Sequence, residues 1–315
     1  MRSYSVLAAI LCAALMGSTG WGQGTRAPNE IPILHVQGNV YMLVGDSGNS
    51  TVQIGDDGVL VVDTMTEAAA NGLLTAIHTL SPKPIRWIIN THDHRDRTGG
   101  NAVLGNSGKF FAGNTRRDVG ALILAHDDVL QAMQATSGKY STGSQAWPTD
   151  TYFSGQKDLF FDGEAVEVFH EPNAHTGGDS VVFFRRSDVV STGDVFTPDR
   201  FPVIDFEQGG SINGLLVALN HILKLTVPEL NQEGGTMVIP GSGHLCDEAD
   251  VADYRDMVTI VRDRVQDMVK KGMSLEQVKA SRPTRDYDPL YGRPEYTGEM
   301  FVEAVYRSLT AGGKR

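Results

Sequence analysis

Cysteine is nearly absent from this 315-residue chain, and basic runs, long apolar runs and internal repeats are missing as well. The two cysteines are Cys12 and Cys246. Cys12 lies in an N-terminal stretch that reads as removable, so Cys246 is left without an intrachain partner and a disulfide-stapled scaffold is excluded. Lysine and arginine number 27 against 38 acidic residues, a formal charge of −11, which argues against an extended nucleic-acid surface. After the N-terminus no apolar run approaches the ~20 residues that a spanning helix needs. There is no Gly-x-Ser-x-Gly elbow and no dinucleotide fingerprint in a strand–helix setting, so those two engines have no anchor here.

At the N-terminus, Arg2 precedes the apolar stretch Val6 to Met16, followed by small residues, tryptophan and glycine. This reads as a secretory signal over residues 1–24, leaving 25–315 as a single domain with a C-terminal helical extension. A periplasmic or secreted location follows as an expectation. Thirty-five glycines imply many tight turns between short elements.

The apolar runs Val40 to Val44, Ser50 to Ile54 and Val59 to Val62 are separated by glycine-containing turns and predict a hairpin-rich sheet. Thr66 to Leu80 has helical periodicity, and Ile85 to Ile89 reads as a strand. Residues 109–112 read as a further strand and Arg116 to Ala135 as a helix. The segment from Thr136 to Gly155 reads as a solvated loop or as a pocket wall carrying Trp147, Tyr152 and Phe153. A second set of short strands follows at Asp158 to Phe161, Ala165 to His170, Ser180 to Phe184 and Asp188 to Ser191. Ile212 to Leu225 is helical, Thr236 to Ile239 is a final inner strand, and Asp247 to Lys270 is a long amphipathic helix. Shorter helices are expected near Leu275 and over Gly298 to Leu309. This pattern predicts a mixed α/β fold.

The chemistry concentrates at strand ends. Thr91-His92-Asp93-His94-Arg95-Asp96-Arg97 follows the Ile85 to Ile89 strand. Imidazole and carboxylate are ordinary ligands for zinc and related divalent ions, and three of them can converge here only if the backbone turns. Ala174-His175-Thr176-Gly177-Gly178-Asp179, Thr192-Gly193-Asp194 and Gly241-Ser242-Gly243-His244 each follow another strand. Taken singly, His175 could be a turn residue, Asp194 an Asx-turn residue and His244 a helix-start residue. Together they fit a cleft built from loops at the ends of strands. Asp63, also at a strand end, reads as a helix cap or as a support behind the metal site. His78, His126 and His221 fall in expected helices and read as surface or interface residues. His35 also stands outside the site, and His170 lies nearer to it. Cys246 reads as a buried thiol as readily as a ligand.

These motifs resemble the metallo-β-lactamase superfamily, whose signature His-x-His-x-Asp-His is followed by separate His, Asp or Cys, and His motifs. The resemblance spans about residues 34 to 260. It implies a four-layer αβ/βα sandwich of two mixed β-sheets with helices outside. It also implies a first zinc site of His92, His94 and His175, with Asp96 and His244 at a second and Asp194 either bridging the two ions or binding the second. The chain departs from the signature at Arg97, where a second-site histidine is common. Guanidinium is no practical ligand. Arg97 could be turned away, could weaken the second ion, or could replace its charge and pair with Asp96 or a substrate carboxylate. One firmly bound zinc and a weaker second one are expected.

The resemblance implies an exported zinc hydrolase, β-lactamase-like, in which metal-bound hydroxide opens a β-lactam amide and Asp96 manages the proton. A thioester, lactone or quinoprotein-associated hydrolase of the same superfamily is the alternative. A non-catalytic metal- or ligand-binding module is the reading from another class. The expected partner is a small molecule, carboxylate-bearing in the first reading, and the expected state is a monomer.

Overall fold

Alternating apolar side chains on two sets of strands leave each sheet with one face that can only be covered by the other sheet. The structure, a computed structural model, describes residues 30–110, 120–135, 142–228 and 234–311. The proposed signal segment lies outside these residues.

The first sheet holds β1 (Ile33–Gln37), β2 (Val40–Gly45), β3 (Gly48–Ile54) and β4 (Val59–Val62) as an antiparallel meander. Helix α1 (Ala70–Leu80) then leads to β5 (Ile85–Ile89), which pairs parallel with β4. The short helices α2 (Arg95–Thr98) and α3 (Asn101–Ser107) follow, then β6 (Leu122–His126), α4 (Asp127–Gln134) and β7 (Asp150–Tyr152), with β6 and β7 extending the parallel half. The second sheet holds β8 (Gln156–Phe161), β9 (Glu164–His170), β10 (Ser180–Phe184) and β11 (Val189–Ser191), all antiparallel. Helix α5 (Ile212–Leu225) crosses over to β12 (Met237–Ile239), which lies parallel to β11. Helices α6 (Glu248–Lys270), α7 (Leu275–Ala280), α8 (Asp288–Tyr291) and α9 (Gly298–Ala311) complete the chain.

Three apolar layers account for the packing. Between the sheets, Val40, Met42, Leu60, Val62, Ile89 and Leu124 meet Val166, Val168, Val182, Phe184 and Ile239. Leu43, Val61, Ile88 and their neighbours pack outward on Leu73 and Ile77 of α1 and Leu104 of α3. Val181, Val190 and Val238 pack on α5, α6, α7 and α9. Helix, sheet, sheet, helix is the expected sandwich, built from seven- and five-stranded mixed sheets. Ile31–Arg315 forms one compact unit. Among the described residues no helix is long and apolar enough to cross a membrane.

Local chemistry explains the helix ends. The Ser211 hydroxyl accepts from Gly214 N–H to cap α5, whose Ile212, Leu215, Leu216, Leu219 and Ile222 form its buried stripe. Asp247 and Asp250 form a reciprocal capping box at α6.

Several expectations need correction. Of the helix expected over 116–135, residues 116–119 lie outside the described residues, and in the rest the helix starts at Asp127, because Leu122 to Ala125 extend the buried parallel sheet as β6. Tertiary burial overrides helical spacing there. His126 therefore ends a strand and is buried, whereas a surface or interface position on a helix had been expected. The inner strand expected over 236–239 is an edge strand, since α5 returns the chain to the far side of β11. Strand β1 is an element for which no expectation was stated, and β7 arises in the 136–155 segment read as loop or pocket wall. Of the strand expected at 109–112, residues 111 and 112 lie outside the described residues.

Candidate metal centre

Strands β4, β5, β11 and β12 all end on the same side of the sandwich, and the β9–β10 connection arches over it. The loops are tied together by backbone bonds. Ser180 N–H donates to Thr91 O at 2.8 Å, Gly241 N–H to Gly193 O at 2.8 Å, and Asn49 N–H to Gly241 O at 2.9 Å. The backbone turns after His94, which precedes α2, so His92 and His94 swing together.

His92, His94, His175 and Asp194 each offer one ligand atom, and these atoms lie within 4.8 Å of one another. The three imidazoles meet edge-on, with centroids 4.6, 4.8 and 4.8 Å apart. Each ring has one nitrogen committed to a partner behind it. The Thr91 hydroxyl lies 3.1 Å from His92 Nδ1 and 2.8 Å from Asp63 Oδ2. A hydroxyl has one hydrogen. Spent on Asp63, it leaves Thr91 Oγ1 to accept from His92 Nδ1–H. His175 Nδ1 lies 3.4 Å from Asp179 Oδ1, and His94 Nε2 lies 3.1 Å from Asp205 Oδ2. The remaining nitrogens are His92 Nε2, His94 Nδ1 and His175 Nε2. His92 Nε2 is buried with no hydrogen-bond partner. A buried orphan lone pair beside two further imidazoles and a carboxylate fits a divalent cation of the zinc type.

The electrostatics agree. Burial, with His175 and His94 alongside, pushes the His92 imidazole well below its ordinary value, so it is neutral at pH 7. Burial also opposes charge on His175, but the Asp179 carboxylate outweighs it and raises that group. For Asp194 burial opposes ionisation, yet the Arg97 guanidinium, with His92, His175 and Arg200, holds the carboxyl well below its usual range.

Arg97 is 0 % exposed and heads the fully buried side chains by volume. Its Nη2 donates to Asp194 Oδ1, Nη1 donates to Asp96 O at 3.1 Å and Ser47 O at 3.3 Å, and Nε lies 3.8 Å from Asp63 Oδ2. Gly48 makes this burial feasible. Its φ of +139° suits glycine, and a Cβ there would run into the guanidinium and Gly241 O. Of the three outcomes open for Arg97, turning away is excluded. The side chain has no solvent face on which to meet a substrate carboxylate. Arg97 pairs inward with Asp194, Asp63 and Asp96.

Asp63 stands behind the centre as well. It takes a left-handed φ of 61°, unusual without glycine, and its two oxygens accept the Thr91 N–H and hydroxyl, both at 2.8 Å. Burial pushes this carboxyl up to about 7 against the pull of Arg97 and Thr91.

The remaining expected site residues stand apart from the four-residue group. The Asp96 side chain is 34 % exposed, with Oδ2 3.5 Å from Arg97 Nη1. His244 does not join. Its side chain is 61 % exposed, its Nδ1 lies 3.0 Å from Asp199 Oδ1, and it groups with Cys246 and Asp250. Trp147 packs against Ala125, Val129 and Met133, and its indole donates to Thr142 O at 3.0 Å. Tyr152 is buried and hydrogen-bonds Ser180 Oγ at 2.7 Å, so it reaches the centre only through the Ser180–Thr91 tie. Phe153 is 89 % exposed.

Besides Thr91 and Asp179, which lie inside the quoted motifs, two residues distant from them were missed from sequence. Arg200 places Nη2 3.8 Å from Asp194 Oδ2, with a side chain 33 % exposed. Asp205 holds His94. Neither sits in a recognisable motif, and only the fold brings them to the centre.

The Metallo-beta-lactamase superfamily model matches residues 43–230. Among curated proteins, the 2,4-dinitroanisole O-demethylase subunit alpha of Nocardioides sp. (strain JS1661) is 26% identical over 172 residues, covering 54% of this chain and 48% of that protein. The alkyl/aryl-sulfatase BDS1 of Saccharomyces cerevisiae is 32% identical over 104 residues, covering 32% of this chain and 16% of that protein. The match thus spans less than half the length of either relative. Among solved structures, the sec-alkylsulfatase Pisa1 from Pseudomonas sp. superposes with a TM-score of 0.64 at 17% identity, covering 88% of this chain and 50% of that one. The metallo-beta-lactamase from Pontibacter korlensis superposes with 0.56 at 14% identity, covering 73% of this chain and 99% of that one. At these identities the superpositions establish the fold.

Proposed function

This chain belongs to the metallo-beta-lactamase superfamily, and from that premise we propose that it is a zinc-dependent hydrolase of small anionic molecules, with opening of a β-lactam amide as its first candidate reaction. The observation that carries this reading is the set of three histidines, each with one nitrogen near a polar partner, which together with Asp194 offer ligand atoms within 4.8 Å of one another. His92, His94 and His175 would hold the ion. When bound, it would supply the Lewis acidity that makes water nucleophilic near neutral pH and offsets negative charge on a substrate oxygen.

The chain's own groups do the rest. Thr91, Asp179 and Asp205 keep the imidazoles oriented, which removes their reorganisation from the reaction. Asp96, partly exposed on α2, orients the attacking water and accepts its proton at Oδ2. Arg97 acts indirectly: it keeps Asp194 ionised in a buried place. Arg200, beside Asp194 and partly open to solvent, takes the anionic group of the substrate, the role that buried Arg97 cannot fill. A second ion at Asp194 would be held more weakly, because Asp194 already shares its charge with Arg97.

Sulfate-ester hydrolysis is the second reading, favoured by the 32% identical stretch shared with the yeast alkyl/aryl-sulfatase. Arg200 would then face a sulfate instead of a carboxylate. Export by the N-terminal apolar segment and a monomeric state remain part of the proposal.

The test is turnover by the zinc-supplemented full chain of nitrocefin, p-nitrophenyl sulfate, a thioester and a lactone. Nitrocefin hydrolysis abolished by His94→Ala supports the first reading. Turnover of the sulfate alone selects the second, and turnover of the thioester or lactone alone selects another hydrolase of the superfamily. Turnover of none by fully metallated protein contradicts the hydrolase reading and leaves a binding module.

A further inference from the structure

Two of the three histidines find their backing close by in sequence: Thr91 adjoins His92, and Asp179 follows His175 by four residues. His94 does not. Its partner Asp205 is 111 residues away, in the irregular segment between β11 and α5. That segment, residues 201–210, is shaped around Asp205. Asp205 Oδ1 accepts from Glu207 N–H at 3.0 Å and Gln208 N–H at 3.1 Å, and its carbonyl accepts from Gly210 N–H at 2.8 Å. These bonds leave Oδ2 directed at His94 Nε2.

The same residue grips the other ligand loop. Asp205 N–H donates to His175 O at 2.9 Å, and Gly177 N–H donates to Gln208 O at 2.6 Å. The contact is close enough that a Cβ on Gly210 would collide with His175 O. His94 hangs from the first sheet and His175 from the second, so one residue ties together ligands that arrive on different sheets. Outside the centre the segment is fastened to α9, where the Arg307 guanidinium lies 4.9 Å above the Phe206 ring.

We infer that Asp205 is a positioning residue for the metal centre. It holds His94 as the Nε2–H tautomer, so that the Nδ1 lone pair faces the cluster, and it locks the His94 and His175 loops at one separation. This deepens the metal-centre reading and rests on it. A carboxylate behind a ligating imidazole raises its basicity and fixes its orientation, and its loss typically lowers metal affinity about 10–100-fold.

Asp205→Asn separates this role from loop building. The asparagine oxygen can still accept from Glu207 and Gln208, but its amide nitrogen then faces His94 Nε2 as a donor. Two donors cannot pair, so His94 is driven to the Nδ1–H tautomer and its lone pair leaves the cluster. Two measurements on the full chain read this. Histidine 15N NMR of the metal-free protein reports the tautomer, and competition with a chromophoric chelator reports zinc affinity. The expected results are Nε2–H on His94 in the wild type, Nδ1–H in Asp205→Asn, and zinc affinity lower by about 10–100-fold. A wild-type His94 protonated on Nδ1, or a folded variant with unchanged affinity, overturns the inference. The wild-type tautomer decides even if the variant fails to fold. If the wild type binds no zinc but His94 carries Nε2–H and the variant switches, the metal reading fails while the Asp205 contact stands.

Discussion

The Arg97 guanidinium donates to Asp194 Oδ1 inside the protein, directly beside the histidine cluster. Arg97 has no solvent face and Asp194 almost none, so each is the other's compensation for lost hydration. Removing one partner strands the other. Arg97→Met, similar in length but uncharged, is expected to lower unfolding stability in urea by about 3–5 kcal/mol, the usual cost of breaking a buried pair. A loss below about 1 kcal/mol, the value of an exposed pair, would show that Arg97 is not held as described.

Gly48 tests the same burial from the other side. Gly48→Ala adds a Cβ at φ +139° that meets the guanidinium and Gly241 O. Thermal unfolding should detect a loss of about 1–3 kcal/mol, from backbone strain and from displacement of Arg97. Full stability would mean that the hairpin turn does not close over that side chain.

Arg200 is partly accessible beside Asp194, so it should sort substrates by charge. For an anionic substrate, Arg200→Ala is expected to raise KM about 10-fold or more, the loss of a charge-assisted hydrogen bond, with kcat changed little. A neutral ester hydrolysed by the same preparation should be unaffected. Equal losses on both substrates would remove Arg200 from anion recognition.

Away from the centre, Glu171 is buried and hydrogen-bonded to His221. Burial raises its carboxyl above the ordinary 4.5, while His221 pulls it back. An acid whose pKa is higher when folded binds its proton more tightly in the folded state. Its stabilising contribution is therefore complete below about 4.5 and declines as pH rises through the folded value. Glu171→Gln removes that titration. In urea unfolding from pH 4 to 7, stability of the variant relative to wild type should rise with pH. A constant or falling difference would contradict the direction of the shift.

What could be read from the chain depended on how local the information was. The candidate ligands His92, His94 and His175 stood out because each follows an apolar strand in a short motif, and the fold brings them together with Asp194. Many of the strands were legible because they are short, apolar and bounded by glycine turns, which gave a mixed α/β fold, while the sandwich came from the family resemblance. Strand β6 was not, since Leu122 to His126 spans little more than one helical turn and only burial between neighbouring strands decides its state. Arg97 was visible as a departure, but its direction depended on Gly48, 49 positions earlier and brought near by the β2–β3 turn. Asp205 and Arg200 were invisible because no spacing rule links them to the histidines. His244 showed the opposite limit: a good motif position whose side chain pairs with Asp199.

The central claim is that His92, His94 and His175 hold one zinc ion firmly. Its most direct test is a zinc competition titration of the full chain, alongside His92→Ala and His175→Ala. One tightly held zinc per wild-type chain, lost in both folded variants, is the predicted result. A wild-type chain that holds no zinc, or variants that retain the ion with unchanged affinity, would contradict it.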